Sequence, residues 1–289
     1  MVRNGPKADV AIRTYRFARR TTKLPQVFGG TMASVAAAPT PPRKQAPFPV
    51  RAAADGNFFL LYVALIWLAV VAGFGSELIR RLNSNAEPFP IAVHIHAAIT
   101  LAWLGLLTSQ TLLIRKRELR LHRKWGTVGG VLAVAVILGG LWAALAFEKM
   151  VMSTPQRRPH FLAIEWSNII EFGVLAAAAI IVRKRPAAHK RLILLATLSL
   201  TPAAFNRAIG KPFLHPLLGS GVWQTWVQIF SLTDLMVLGI GIYDWKTRGR
   251  VHPAWAVGAL WILAGQLTAS WLFYNPAWKA LAASILTWW

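Results

Sequence analysis

The chain has no cysteine. No disulfide, thiolate ligand or thiol nucleophile can therefore take part in its structure or chemistry, and a metal or haem would have to rest on histidine, carboxylate or methionine. Acidic residues are scarce too, at 10 against 32 lysines and arginines, for a net charge of +22. Charged residues of both signs reach only 15%, where a soluble domain carries roughly a quarter. No Walker loop, Rossmann fingerprint, HExxH or nucleophile elbow occurs, which removes the enzyme classes that those motifs carry.

What is abundant is apolar. Hydrophobic residues make up 55% of the 289, with 14 tryptophans among them. They are gathered into long blocks, which points to membrane spans rather than to a soluble core. Seven such spans can be drawn, roughly at 58–79, 91–114, 127–147, 161–182, 192–209, 223–243 and 254–274. At 1.5 Å per residue each comes close to crossing a hydrocarbon layer of about 30 Å. The fifth is the least regular, because Pro202 interrupts it and Asn206 and Arg207 follow. The expected fold is all-α: a polytopic bundle of about seven transmembrane helices, with helices two to five as its core.

Charge sets the expected orientation. Ten basic residues precede the first span, and the segments 115–124, 183–191 and 245–252 hold six, five and three. If all seven spans cross, 24 of the 32 lie on one side, which places the N-terminus in the cytoplasm. A basic face over anionic lipid accounts for the net charge without nucleic acid. Residues 1–57 read as a basic, Ala/Pro-rich arm, residues 58–275 as the bundle, and 276–289 as a Trp-rich interfacial tail. The arm lacks the apolar core of a secretory signal and is too polar to order by itself.

Polar residues inside the spans are the candidates for function. His96, Thr100, Trp103, Leu107 and Gln110 share one helix face, which should point into the bundle with Gln110 hydrogen-bonded. In the fourth span His160, Glu165, Asn168 and Glu171 fall within an arc of about 140°. Glu171 lies near the bilayer centre, where an ionisable group signals function or a protonated acid held by a neighbour. Asp234, on a face with Gln224, Gln228 and Ser231, is its natural partner. Gly126-xxx-Gly130 and Gly139-Gly140 permit close helix approach.

The histidines sort by leaflet: His94, His96 and His160 on the outer side, His122 and His189 on the inner side. This layout is similar to that of the ascorbate-reducible two-haem transmembrane cytochromes. That resemblance implies haem b held by His96 with His160 and by His122 with His189. His96, Gln110, the run Leu121, His122, Arg123 and Gly126, then His189, Lys190, Arg191 and Arg207 also resemble the pattern of a family of uncharacterised bacterial multi-pass membrane proteins. That second resemblance covers about residues 91–210 and implies a bacterial inner-membrane protein without an assigned activity. The leading expectation is a non-catalytic accessory subunit needing no cofactor, which contacts anionic lipid and other membrane subunits through its basic arm and Trp-rich edges. The alternatives are a haem-b electron carrier and a proton-coupled transporter using Glu171 and Asp234.

Overall fold

A computed structural model describes residues 48–50, 52–84, 87–154 and 157–289. The arm before residue 48, with the partner contacts expected of it, lies outside the described residues. Eight helices follow: α1 (Asp55–Leu82), α2 (Ile91–Arg115), α3 (Leu119–Met152), α4 (Leu162–Ile181), α5 (Pro186–Leu218), α6 (Val222–Arg248), α7 (Pro253–Tyr274) and α8 (Pro276–Trp288). The first seven are long and apolar enough to cross a membrane, with a 3₁₀ turn at Pro159–Phe161 leading into α4. The protein is a polytopic helical membrane bundle, and no strand occurs among the described residues. The first helix begins at Asp55, slightly before the expected boundary at 58.

Local chemistry sets the breaks. Pro186, Pro253 and Pro276 stand in the first turns of their helices, where a missing N–H costs nothing. Asn275 accepts from the amides of Ala277 and Trp278 and so caps α8. Gly249 closes α6 in the left-handed conformation, at φ 69°, which glycine adopts without a Cβ penalty.

α4 is the central helix, packed against α3, α5 and α7. Phe172, Leu175, Ala176 and Ala179 from α4 join Leu194, Leu195, Ala196 and Leu198 of α5 in the main core. α8 is docked rather than free. Trp278 Nε1 donates to the His160 carbonyl at 3.1 Å, Lys149 Nζ donates to the Leu286 carbonyl at 2.7 Å, and Ala282 and Leu286 are buried against Ala144 and Leu162.

Among the described residues, the basic segments after α2, α4 and α6 gather at the end where α1 begins. Arg115 donates to Asn57 at 2.8 Å, and Asp55 accepts from Lys190 at 2.7 Å and from Arg248 at 2.6 Å. Asp55 also accepts from Tyr243 at 2.8 Å. Arg191 forks onto Asp244 with both side chains 1% exposed, and Arg248 reaches the same carboxylate at 3.3 Å. The bundle is thus tied at its basic end by a buried ion pair between α5 and α6 and by partly buried pairs from both to Asp55 of α1.

α5 is the irregular element, over a longer stretch than 192–209. It is α-helical over Pro186–Ser199, resumes at Pro202–Phe205, and turns π-helical over Asn206–Leu214. Pro202 has no N–H to give the Leu198 carbonyl. Thr201 supplies its own amide and hydroxyl instead, at 2.9 and 2.7 Å. Two glycines let this segment press on its neighbours. A Cβ at Gly73 of α1 would lie 2.2 Å from the Ala204 carbonyl oxygen, and one at Gly210 would lie 2.3 Å from that of Gln228 in α6.

Candidate functional site

His122 lies in the first turn of α3 and His189 in the first turn of α5. Their ring centroids are 6.4 Å apart with the planes at 78°. His189 Nδ1 is 2.9 Å from the Ala179 carbonyl. A carbonyl can only accept, so Nδ1 carries the hydrogen and Nε2 is left with a free lone pair. Metal-binding histidines are fixed in this way, one nitrogen held by the protein and the other free to ligate. His122 Nδ1 is buried and meets no protein partner.

The two rings border a narrow cleft of about 90 Å³, smaller than the several hundred Å³ of a preformed cofactor site. Trp103, Leu106 and Leu107 of α2 form one wall, Ile180 of α4 and Ile193 of α5 another, and Gly126, Gly129 and Gly130 of α3 a third. The glycines follow His122 at one and two helical turns and so lie below it on its own face. A Cβ at Gly126 or Gly130 would meet nothing within 4 Å. This Gly-xxx-Gly pair keeps space open rather than drawing two helices together. Gly139 and Gly140 do serve packing: Cβ atoms there would lie 3.3 Å from Ile99 and 3.0 Å from Ile169.

The shared face of α2 points inward at Trp103, which is 4% exposed and donates to Thr197 of α5 at 3.2 Å. Gln110, two turns beyond Trp103 towards the basic end, was expected to be hydrogen-bonded. Its Nε2 and Oε1 are instead buried without any protein partner.

The other two histidines meet different neighbours. His96 packs on Gly139, Gly140 and Ile169, with Nε2 3.5 Å from the Thr100 hydroxyl. His160 lies edge-on to Phe273 of α7, at 4.4 Å between centroids. Among the described residues the ring contact between histidines is that of His122 with His189.

In the half of the bundle away from the basic end, Glu171 of α4 is 1% exposed and accepts from the Ser167 hydroxyl at 2.9 Å. Its other oxygen has no partner, and neither do Asn168 Oδ1, Glu165 Oε2 or Asp234 Oδ2. Asp234 is near enough for its charge to act on Glu171. Sequence reasoning missed Glu148, which is fully buried in α3 with Arg158 at 3.4 Å and within electrostatic reach of Glu165. Its setting, AFEKMVM, reads as a helix end leaving the membrane. It also missed the pairing of Arg191 with Asp244, although these opposite charges both lie at span ends on the basic side.

No family model, curated protein or solved structure matches this chain.

Proposed function

We propose that the cleft between α2 and α5 holds a single haem b through His122 and His189, and that the protein is a membrane electron carrier of the bacterial inner membrane. The observation that carries this reading is the histidine spacing. Two imidazole–metal bonds of about 2 Å set facing nitrogens about 4 Å apart and ring centroids a little over 6 Å apart, against the 6.4 Å found.

The donor set supports the same choice. Among the described residues no group of three or more His, Asp or Glu can hold a metal ion. Two imidazoles suffice only for a metal that brings its remaining ligands with it, as a porphyrin iron does. The cleft as it stands, at about 90 Å³, is smaller than a macrocycle, so haem entry widens it where Gly126 and Gly130 leave room and Leu106, packed on Gly129, gives way. Arg123 stands close enough to act on His122 electrostatically and suits a haem carboxylate. Gln110, whose amide is unpaired, lies outside the cleft lining and would meet the haem only as the cleft widens.

Each residue then has a part. Ala179 fixes the His189 tautomer through its carbonyl, Trp103 pins α2 to α5 beneath the cleft, and the leucine and isoleucine walls exclude water. The bound haem supplies a ferric–ferrous couple that carries one electron. The reading assigns one haem, not two, because His96 and His160 face different neighbours.

The test is the optical spectrum of the purified protein before and after dithionite. A reduced α-band of the b type, absent from His122→Ala and His189→Ala, supports the proposal. A colourless protein from haem-sufficient cells refutes it.

A further inference from the structure

A second site lies in the half of the bundle away from the basic end, independent of the histidine cleft. Glu171 extends from α4 until its Oε1 would be 2.3 Å from a Cβ at Gly265 of α7. A side chain there would push the carboxyl out of its present position. Gln266, the next residue, is fully buried, with Asp234 of α6 beside it and Trp226 donating to its Oε1 at 3.3 Å. Ser270, one turn further along α7, is also fully buried. Glu171 Oε2 and Ser270 Oγ have no protein partner, and Asp234 Oδ2 and Gln266 Nε2 approach one another without a well-formed hydrogen bond.

The charges around the pair do not balance it. α7 contains no charged residue. α6 brings Asp234 itself, while its Asp244 is held by Arg191 at the basic end. α5 brings Arg207, whose charge acts on Glu165 and Glu77. α3 brings Glu148, which is engaged with Arg158. The remaining acid of α4, Glu165, is the one near Arg207 and Glu148. Two carboxyls therefore share a membrane interior with no counter-cation assigned to either. A buried carboxylate without a cation is neutralised by a proton instead.

We propose that Glu171 and Asp234, with Gln266 and Ser270, form a buried proton-binding site that holds one exchangeable proton. Bound to either carboxyl, the proton converts an acceptor-only oxygen into an O–H donor and removes the repulsion between the two charges. A metal cation is the poorer occupant, since hard cations need six or more oxygens and the site converges fewer. Access runs through Asp234, which is half-buried on a polar face of α6 with Gln224, Gln228 and Ser231. Glu171 is the enclosed end. The Thr233 hydroxyl, beside Asp234, meets that of Thr201 at 2.9 Å, so the site is tied to the break in α5.

The test is infrared spectroscopy of the full-length protein in lipid nanodiscs at neutral pH. The wild type should show a protonated-carboxyl stretch that shifts down in D₂O. The wild type minus Glu171→Gln difference spectrum should contain one carboxyl's worth of that band, and Asp234→Asn should shift or remove it. Buried Glu148 and Glu165 cancel in this difference. If Glu171→Gln does not fold, Asp234→Asn and Gly265→Ala, which crowds the carboxyl, carry the same test. A difference spectrum with no carboxyl band overturns the proposal, and so does a wild-type band that vanishes on adding NaCl, which would give the site to Na⁺.

Discussion

At the basic end, Asp55 and Asp244 lie within reach of Lys190, Arg191 and Arg248, and each carboxylate accepts from more than one cation. In the opposite half, Glu171 and Asp234 meet no cation, and several buried polar atoms lack partners. A paired charge is scaffold: it fixes the register of helices and has no capacity left for a ligand. An unpaired one keeps its capacity. The same contrast holds towards the basic end itself, where His122 and Gln110 keep buried atoms without a protein partner.

The largest effect expected from breaking this contrast is on the scaffold side. Arg191→Ala leaves Asp244 buried with Arg248 alone, at 3.3 Å. Loss of one partner from a buried pair costs about 3–5 kcal/mol. The thermal midpoint in detergent should collapse or the protein should fail to fold, and Arg191→Met with Asp244→Leu should recover most of the loss. Equal behaviour of the single and double variants would show that the pair is not a unit.

Glycine separates the two kinds of region next. Gly73→Ala drives a methyl into the Ala204 carbonyl oxygen at 2.2 Å, and such overpacking costs about 1–3 kcal/mol. Gly126→Leu should leave the midpoint near the wild-type value, because the space there is open, yet abolish haem binding by filling the cleft. Thermal denaturation and haem content, measured on the same preparations, check both halves of this pair.

Much of this architecture was legible in the sequence because hydrocarbon imposes long apolar runs, and charge asymmetry marks which loops share an end. Seven spans follow from those two signals. The path of α5 was not legible, since Pro202 announces a break but not the π-helical segment after it, which depends on Gly73 and Gly210 admitting its backbone. The histidines could be sorted by depth, but not by which pair meets, because that depends on the rotation of each helix. His160 turns towards Phe273, whereas His122 turns towards His189. Gly126 and Gly130 carried a pattern that reads as packing, and only the absence of a neighbour reveals a space.

Gln110→Leu should have a smaller effect, sharpening the cleft rather than destroying it. Haem should still bind, held by the two imidazoles, but should dissociate faster once the amide donor is gone. Haem transfer to apomyoglobin measures the rate, and an unchanged rate would remove Gln110 from the site.

The smallest effect concerns pH. Burial, with Arg191 nearby, holds His252 below its usual value of 6.5, and its Nδ1 caps α7 by accepting from the Ala254 amide at 3.0 Å. The unfolded chain therefore binds more protons below that value, so this contribution is full above pH 6.5 and is lost as the pH falls from there through the lowered folded-state value. The thermal midpoint should drop slightly between neutral and mildly acidic pH, and His252→Gln should remove that part of the slope.

Haem content per chain tests the central claim most directly, measured as pyridine haemochrome on protein purified from haem-sufficient membranes. The account predicts one haem per wild-type chain, none in His122→Ala or His189→Ala, and one still in His96→Ala and His160→Ala. Two haems per chain, or a content that survives loss of His189, would contradict it.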